Sequence, residues 1–180
     1  MWVDLLQPDL ALNDSILALT PGLVQQHRLR GLILDVDETL VPFQQAQPLQ
    51  EVCQWIEQMR SLFSLVLVSN NVSRRRIGGI ARSFDVPFYT GAGKPSRRTL
   101  RQAAASMDLP HHEIAMVGDR LFTDVLGGNR LGLFTVLVEP LGSPETTLKP
   151  RLCLRNSEIW ISQRLGVVLG HSPGENNATK

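Results

Sequence analysis

The chain has 180 residues, 43% of them hydrophobic and 19% charged, which suits one domain with a sizeable core and excludes wholesale disorder. Eighteen basic against seventeen acidic residues leave a net charge of +1, so the bulk composition gives no reason to expect a nucleic-acid partner. The two cysteines, Cys53 and Cys153, are too few for a disulfide framework and lack metal-ligand spacing; they read as ordinary thiols of a reducing compartment.

The N-terminus, Met1-Trp2-Val3-Asp4, has no basic segment leading into an apolar run, and no stretch approaches the roughly 20 apolar residues that span a bilayer. A cytoplasmic protein is expected, with peripheral attachment to the inner face of a membrane left open. Trp2, Leu5, Leu6 and Leu10 suit either such attachment or packing against the domain. Residues 1–30 read as a helical extension, in which Thr20-Pro21 supplies an N-cap and a proline at the first helical position.

Short apolar runs then alternate with segments of helical length. Leu32 to Leu34, Leu65 to Val68, Val86 to Tyr89, Ile114 to Val117 and Phe134 to Val138 read as five buried strands. Helices are expected between them, over Leu49 to Leu62, Ser73 to Phe84, Ser96 to Met107 and Leu121 to Leu131. The alternation predicts an α/β, Rossmann-like core over 31–140: a parallel five-stranded sheet with helices on both faces and a ligand site beyond the carboxyl ends of the strands. Residues 141–170 form an extension in which Leu154, Ile161, Leu165 and Val168 follow one helical stripe, and 171–180 reads as a flexible tail.

Polar residues collect at the expected strand ends. Asp35 and Asp37 follow the first strand; two carboxylates so placed need a cation or hydrogen bonds, and a solvated acidic turn is the plainer alternative. Ser69-Asn70-Asn71 follows the second strand and precedes a helix, which suits a phosphate seat or a simple N-cap. Lys94, in Gly91-Ala92-Gly93-Lys94-Pro95, follows the third and supplies a compact positive charge. Asp119 ends the fourth, with Asp124 five residues on; converging carboxylates suit magnesium. In a parallel sheet all four sets project onto one edge.

This order of residues resembles the haloacid-dehalogenase superfamily, whose pattern is Asp-x-Asp-x-Thr, then Ser or Thr, then Lys, then Gly-Asp with a later Asp. The resemblance runs from about Gly31 to Val138. It implies a phosphatase in which Asp35 is the nucleophile and a magnesium ligand, and Asp37 is the general acid/base with its backbone carbonyl on the metal. Thr39 would support the turn and, with Ser69, Asn70 and Lys94, belong to the phosphate-binding set. Asp119 would complete the metal ligation and Asp124 would orient Lys94 or metal-bound water. Thr20-Pro21, Leu40-Val41-Pro42, Val68-Ser69-Asn70-Asn71, Lys94-Pro95 and Thr123-Asp124-Val125-Leu126-Gly127-Gly128-Asn129-Arg130 resemble the narrower YqeG branch, which includes phosphatidylglycerophosphate phosphatases. Glu38 departs from that branch, which often has Asn there; its side chain is expected to point away from the nucleophile.

The intervals Leu40 to Leu62 and Asn71 to Gly93 leave no room for a separate cap domain, so an open site and a bulky phosphate monoester, such as a phospholipid headgroup, are expected. A nucleotide, a sugar phosphate or a phosphoprotein is the alternative substrate, and a non-catalytic scaffold is the alternative of another class. Arg74, Arg75 and Arg76 diverge by about 100° per residue on a helix, so at most one is expected to point at the site. Arg97, Arg98 and Arg101 share a helix side and suit either the rim of the site or a solvated surface. Arg120, beside Asp119, is a further candidate for a substrate phosphate. His111 and His112 are assigned to a loop rather than to a metal site.

Overall fold

The computed structural model describes residues 3–42, 45–141, 157–161, 163–164 and 166–168. Among the described residues all strands are parallel, in one sheet of six: β1 (Leu10–Ala11), β2 (Gly31–Leu34), β3 (Ser64–Val68), β4 (Phe88–Tyr89), β5 (Ile114–Gly118) and β6 (Phe134–Leu137), in the spatial order β1-β6-β5-β2-β3-β4. The helices that pack with it include α1 (Pro21–Gln26), α2 (Gln50–Arg60), α3 (Arg74–Phe84), α4 (Arg97–Ala105) and α5 (Leu126–Asn129), the last entered through a π-helical turn, Leu121–Val125.

Apart from the exposed Ser64 that opens β3, the central strands β2, β3 and β5 carry no polar side chain, because both faces are covered. Leu32, Leu34, Leu65, Leu67, Ala115 and Val117 pack on one side with Val52, Ile56 and Met59 of α2 and Ile77, Ile80 and Phe84 of α3. Their neighbours Ile33, Val66, Val68, Ile114 and Met116 pack on the other side with Leu100, Ala103 and Ala104 of α4. The period-two alternation thus feeds two cores rather than one core and solvent.

The sheet has one strand more than the five expected, and it comes from the N-terminal segment read as helical. Two residues are too short to leave an alternation in the sequence. The strand is fixed from outside: the Leu12 amide donates to the Leu137 carbonyl at 2.8 Å, and Asp9 Oδ2 accepts from the Thr135 amide at 2.7 Å. The Trp55 indole holds the following stretch by donating to the Leu19 carbonyl at 2.9 Å. Leu6 and Leu10 are buried by this packing, which leaves neither free for a membrane surface. Trp2 lies outside the described residues, as do Leu154 and Leu165 of the C-terminal stripe and the whole 171–180 tail. Residues 157–161 are helical. Among the described residues, no helix is long and apolar enough to cross a membrane.

Thr20 caps α1 as expected, accepting from the Leu23 amide at 3.3 Å. The segment expected as one helix over Leu121 to Leu131 is instead a wide turn followed by a short helix, because α5 lies almost on the sheet. A Cβ on Gly128 would stand 2.6 Å from Thr135 Cγ2 and 3.0 Å from Met116 Cβ. Gly128→Ala is therefore expected to destabilise by about 1–3 kcal/mol through overpacking. Gly79, in α3, faces open space with nothing within 4 Å. Gly79→Ala should stabilise by about 0.5–1 kcal/mol through helix propensity. Urea midpoints of the two variants, moving in opposite directions from the parent, check both expectations.

Candidate active site

The site lies where the strand order reverses. β2 continues to β3 and β4 on one side, then the chain crosses back to β5 and β6 on the other, so the loops after β2 and β5 diverge and open a crevice. The cleft there measures about 370 Å³ and is lined in part by Asp35, Asp37, Ser69, Asn70, Lys94, Arg120 and Asp124.

After β2 the backbone tightens at once. The Leu40 and Val41 amides both donate to the Val36 carbonyl at 3.0 Å, and the Glu38 amide donates to the Val41 carbonyl at 2.9 Å. The turn needs a left-handed residue, and Glu38 takes that place at φ +68. Asparagine visits this region more readily than glutamate. Glu38 is buried and does not line the cleft.

Lys94 joins the strand ends. Its Nζ lies 2.5 Å from Asp35 Oδ1 and 2.6 Å from Asp124 Oδ1, and it donates to the Val68 carbonyl at 3.0 Å. Asn70 clamps its backbone: Oδ1 accepts from the Lys94 amide at 2.7 Å and Nδ2 donates to the Lys94 carbonyl at 3.2 Å. Gly118 makes room for Asp124, since a Cβ at that position would sit 2.4 Å from the Asp124 carboxyl carbon. The π-helical turn directs Asp124 inward, with Oδ2 accepting from the Arg120 amide at 3.2 Å.

Asp37 is held by a different group. Its Oδ2 accepts from Ser69 Oγ at 3.4 Å and Asn71 Nδ2 at 3.3 Å, and its Oδ1 pairs with Arg76 Nη1. Asp119 accepts from Thr39 Oγ1 at 3.3 Å. Thr39 is fully buried and absent from the cleft wall, so its hydroxyl supports an aspartate rather than facing a ligand.

The arginines divide. Arg74 lies over the Phe88 ring at 5.6 Å, while Arg76 reaches Asp37. Arg120 lines the cleft but its guanidinium pairs with Glu158 of the helical stretch 157–161. Arg97 donates to the Arg130 carbonyl at 3.2 Å, and Arg97, Arg98 and Arg101 do not line the cleft. His111 Nδ1 donates to the Leu131 carbonyl, 3.0 Å away, in a short turn. Arg76, Asn71 and Glu158 join the site without having been singled out one by one in the sequence. Asn71 carried a signal through its place in Ser69-Asn70-Asn71, and Arg76 through the arginine run.

Burial pushes the Asp35 carboxyl up from 3.8 to about 7; Lys94 opposes the rise, while Asp124 and Asp37 add to it. Burial acts to lower the Lys94 pKa, but Asp124 and then Asp35 more than offset it and hold the ammonium above its ordinary range. The Arg120 guanidinium is likewise shifted upward, burial being outweighed by Glu158.

Oxygen atoms of Asp35, Asp119 and Asp124 lie within 4.8 Å of one another. Five carboxylates (Asp35, Asp37, Asp119, Asp124, Glu158) gather with three cations (Lys94, Arg76, Arg120) at this end of the sheet, leaving two negative charges when all are ionised. An all-oxygen set with that excess fits a hard divalent cation such as magnesium.

A model of the HAD-hydrolase-like family matches residues 91–147. The chain is 32% identical to the probable phosphatase YqeG of Bacillus subtilis over 131 residues, which cover 73% of this chain and 76% of that protein. The chain belongs to the haloacid-dehalogenase-like hydrolases. It is a phosphatase of that superfamily, a hydrolase of phosphoric monoesters. It is also 27% identical to the chloroplastic phosphatidylglycerophosphate phosphatase 1 of Chlamydomonas reinhardtii, over 74% of this chain and 53% of that protein, so it spans about half of that relative. A hypothetical protein of Xanthomonas campestris has a similar fold, with a TM-score of 0.52 at 15% identity over 85% of this chain and 79% of that one.

The Asp35 shift has a testable sign in metal-free protein. Its folded pKa of about 7 exceeds the ordinary 3.8, so the native state holds a proton that the unfolded state has lost. The stability this contributes is complete below about pH 4 and is lost as pH rises through about 7. Between pH 5 and 8, in excess chelator, the parent should lose more stability than Asp35→Asn, which carries no such proton. Chemical denaturation of both proteins at the two pH values measures the difference.

Proposed function

We propose that this protein is a magnesium-dependent phosphatase acting through a phosphorylated Asp35, with phosphatidylglycerophosphate as its substrate and phosphatidylglycerol as its product. The observation that carries the chemistry is the placement of Asp35 and Asp37 in one cleft with the buried Lys94 ammonium 2.5 Å from Asp35.

Asp35, Asp119 and the Asp37 backbone carbonyl would hold the metal, with Asp124 close enough to join directly or through water. Magnesium there would offset charge on the phosphoryl oxygens and keep Asp35 ionised. Lys94 and Ser69 bind the phosphoryl oxygens, Lys94 by charge and Ser69 by its hydroxyl. The Asp35 carboxylate attacks phosphorus, and the bond to the leaving oxygen breaks as Asp37 gives that oxygen a proton. Asp37 then takes a proton from water, which attacks the phosphorus of the acyl phosphate; phosphate leaves and the Asp35 carboxylate is restored. An acid two residues beyond the nucleophile suits an alcohol leaving group, which must be protonated to depart.

The lipid rests on two supports. The Chlamydomonas relative carries that activity in its name. Among the described residues, no folded unit stands over the cleft, which suits a headgroup presented by a surface. Membrane contact would then be peripheral. The cytoplasmic side and a role in phospholipid synthesis belong to the same proposal.

Turnover of phosphatidylglycerophosphate in detergent, set against a panel of soluble nucleotides, sugar phosphates and phosphopeptides, tests the substrate. Preference for the lipid is expected, and failure on it beside strong activity on one soluble compound refutes it. Asp35→Asn should lower phosphate release by about 10³-fold or more and abolish acid-stable trapping of phosphate on the protein. Excess chelator should stop the parent enzyme, with activity restored by added magnesium.

A further inference from the structure

A second groove, of about 460 Å³, adjoins the cleft on the Arg76 side of Asp37. Its lining includes Gln45, Ser73, Arg75, Arg76, Gly79 and Ile80. Apart from Arg76, which pairs with Asp37, none of these residues has a part in the phosphoryl chemistry described above.

We propose that this groove receives the leaving group of the substrate, and that Arg75 and Arg76 bind a second anionic group carried on it. Resting on the lipid reading, that group is the phosphodiester of a glycerophospholipid headgroup. The direction of the leaving group follows from the chemistry. Lys94 and Ser69 fix the phosphoryl end, whereas the leaving oxygen must lie against the acid that protonates it, Asp37. Beyond Asp37 stands Arg76, which lines the groove and reaches back to the cleft's Asp37: Nη1 pairs with Asp37 Oδ1 while Nη2 donates to the Gln45 carbonyl at 3.2 Å.

The groove is basic and has space. Arg74 turns away to Phe88, but Arg75 is exposed and lines the groove beside Arg76. Gly79 costs α3 helix stability and, with nothing within 4 Å of a Cβ, opens the groove instead. The volume falls in the range of small-molecule sites. An anion seated there competes with Asp37 for the Arg76 guanidinium. Filling the groove and freeing Asp37 Oδ1 for the leaving oxygen are thereby coupled, and Arg76 is a positioning residue as well as a binding one.

Two variants probe the groove from its surface, Arg75→Gln and Gly79→Leu. Three substrates separate the chemistry: glycerol 3-phosphate has no second anion, the deacylated headgroup has a phosphomonoester and a phosphodiester, and the intact lipid adds acyl chains. Each variant should lower the ratio of kcat/KM for the deacylated headgroup to that for glycerol 3-phosphate by about fivefold or more, mainly through KM. Equal loss on the intact lipid assigns the groove to the headgroup; loss on the lipid alone assigns it to the acyl chains and overturns the anion proposal. Glycerophosphoglycerol, which has the diester without the monoester, should inhibit p-nitrophenyl phosphate hydrolysis competitively, and less well in both variants. That arm does not depend on lipid turnover: a parent enzyme inactive on the lipid but showing this weakened inhibition loses the substrate reading and keeps the groove. Unchanged ratios and unchanged inhibition in Arg75→Gln, a surface substitution that should not disturb folding, overturn the proposal.

Discussion

Lys94 carries a full positive charge at 5% exposure, with its ammonium between the carboxylates of Asp35 and Asp124. A buried ammonium without partners costs several kcal/mol, and removing one partner of a buried pair commonly costs about 3–5 kcal/mol. The surrounding structure answers to that demand. Asn70 fixes the lysine backbone at both its amide and its carbonyl, Gly118 gives up a side chain so that Asp124 can approach, and the π-helical turn aims Asp124 inward. Burial pushes the Asp35 proton affinity upward, and the neighbouring acids Asp124 and Asp37, which one lysine cannot fully balance, add to it. A divalent cation would supply the missing charge.

The same group depends on sheet topology. Asp35, Ser69 and Asp119 stand at the carboxyl ends of β2, β3 and β5, which lie side by side in the sheet, and Lys94 comes from the loop after β4. Because all the strands are parallel, these ends share one edge. Their register is held by two cores, each closed by its own helices. A residue lost from either core therefore loosens the strand ends as well as the helix it supports. The small residues of α5 serve the same purpose, letting that helix and the turn before it approach β5 and β6 closely enough to deliver Asp124.

Much of this was legible in the sequence because buried parallel strands leave continuous apolar runs, and the polar residues that interrupt them mark the strand ends. Asp35, Asp37, Ser69, Lys94, Asp119 and Asp124 are all found at one edge for that reason. Spacing could not supply the edge strand Leu10–Ala11, which exists through hydrogen bonds to residues 135 and 137 far along the chain. Nor could it distinguish the fates of the arginines. Arg97, Arg98 and Arg101 share a helix side, yet that side does not reach the cleft, whereas Arg76 does so from another helix. The Arg120–Glu158 pair links two segments whose proximity no local pattern records. Periodicity reports which face of an element is buried; it is silent on how far along the element a neighbour's site begins.

Charge at the cleft constrains how a phosphate monoester could enter. In the protein alone the three cations facing this edge are each engaged by a carboxylate: Lys94 by Asp35 and Asp124, Arg76 by Asp37, Arg120 by Glu158. A dianionic phosphoryl group arriving without a metal would meet a net negative surface and would have to displace those carboxylates. With a divalent cation bound among Asp35, Asp119 and Asp124, the two excess negative charges would be cancelled and the cations could share themselves with substrate oxygens. Arg76 differs from Lys94 in this respect, since its side chain is partly exposed and its planar guanidinium can exchange one oxyanion for another at modest cost. A buried lysine suits the invariant phosphoryl end of a substrate, and a more exposed arginine on a helix beside an open groove suits the part that varies.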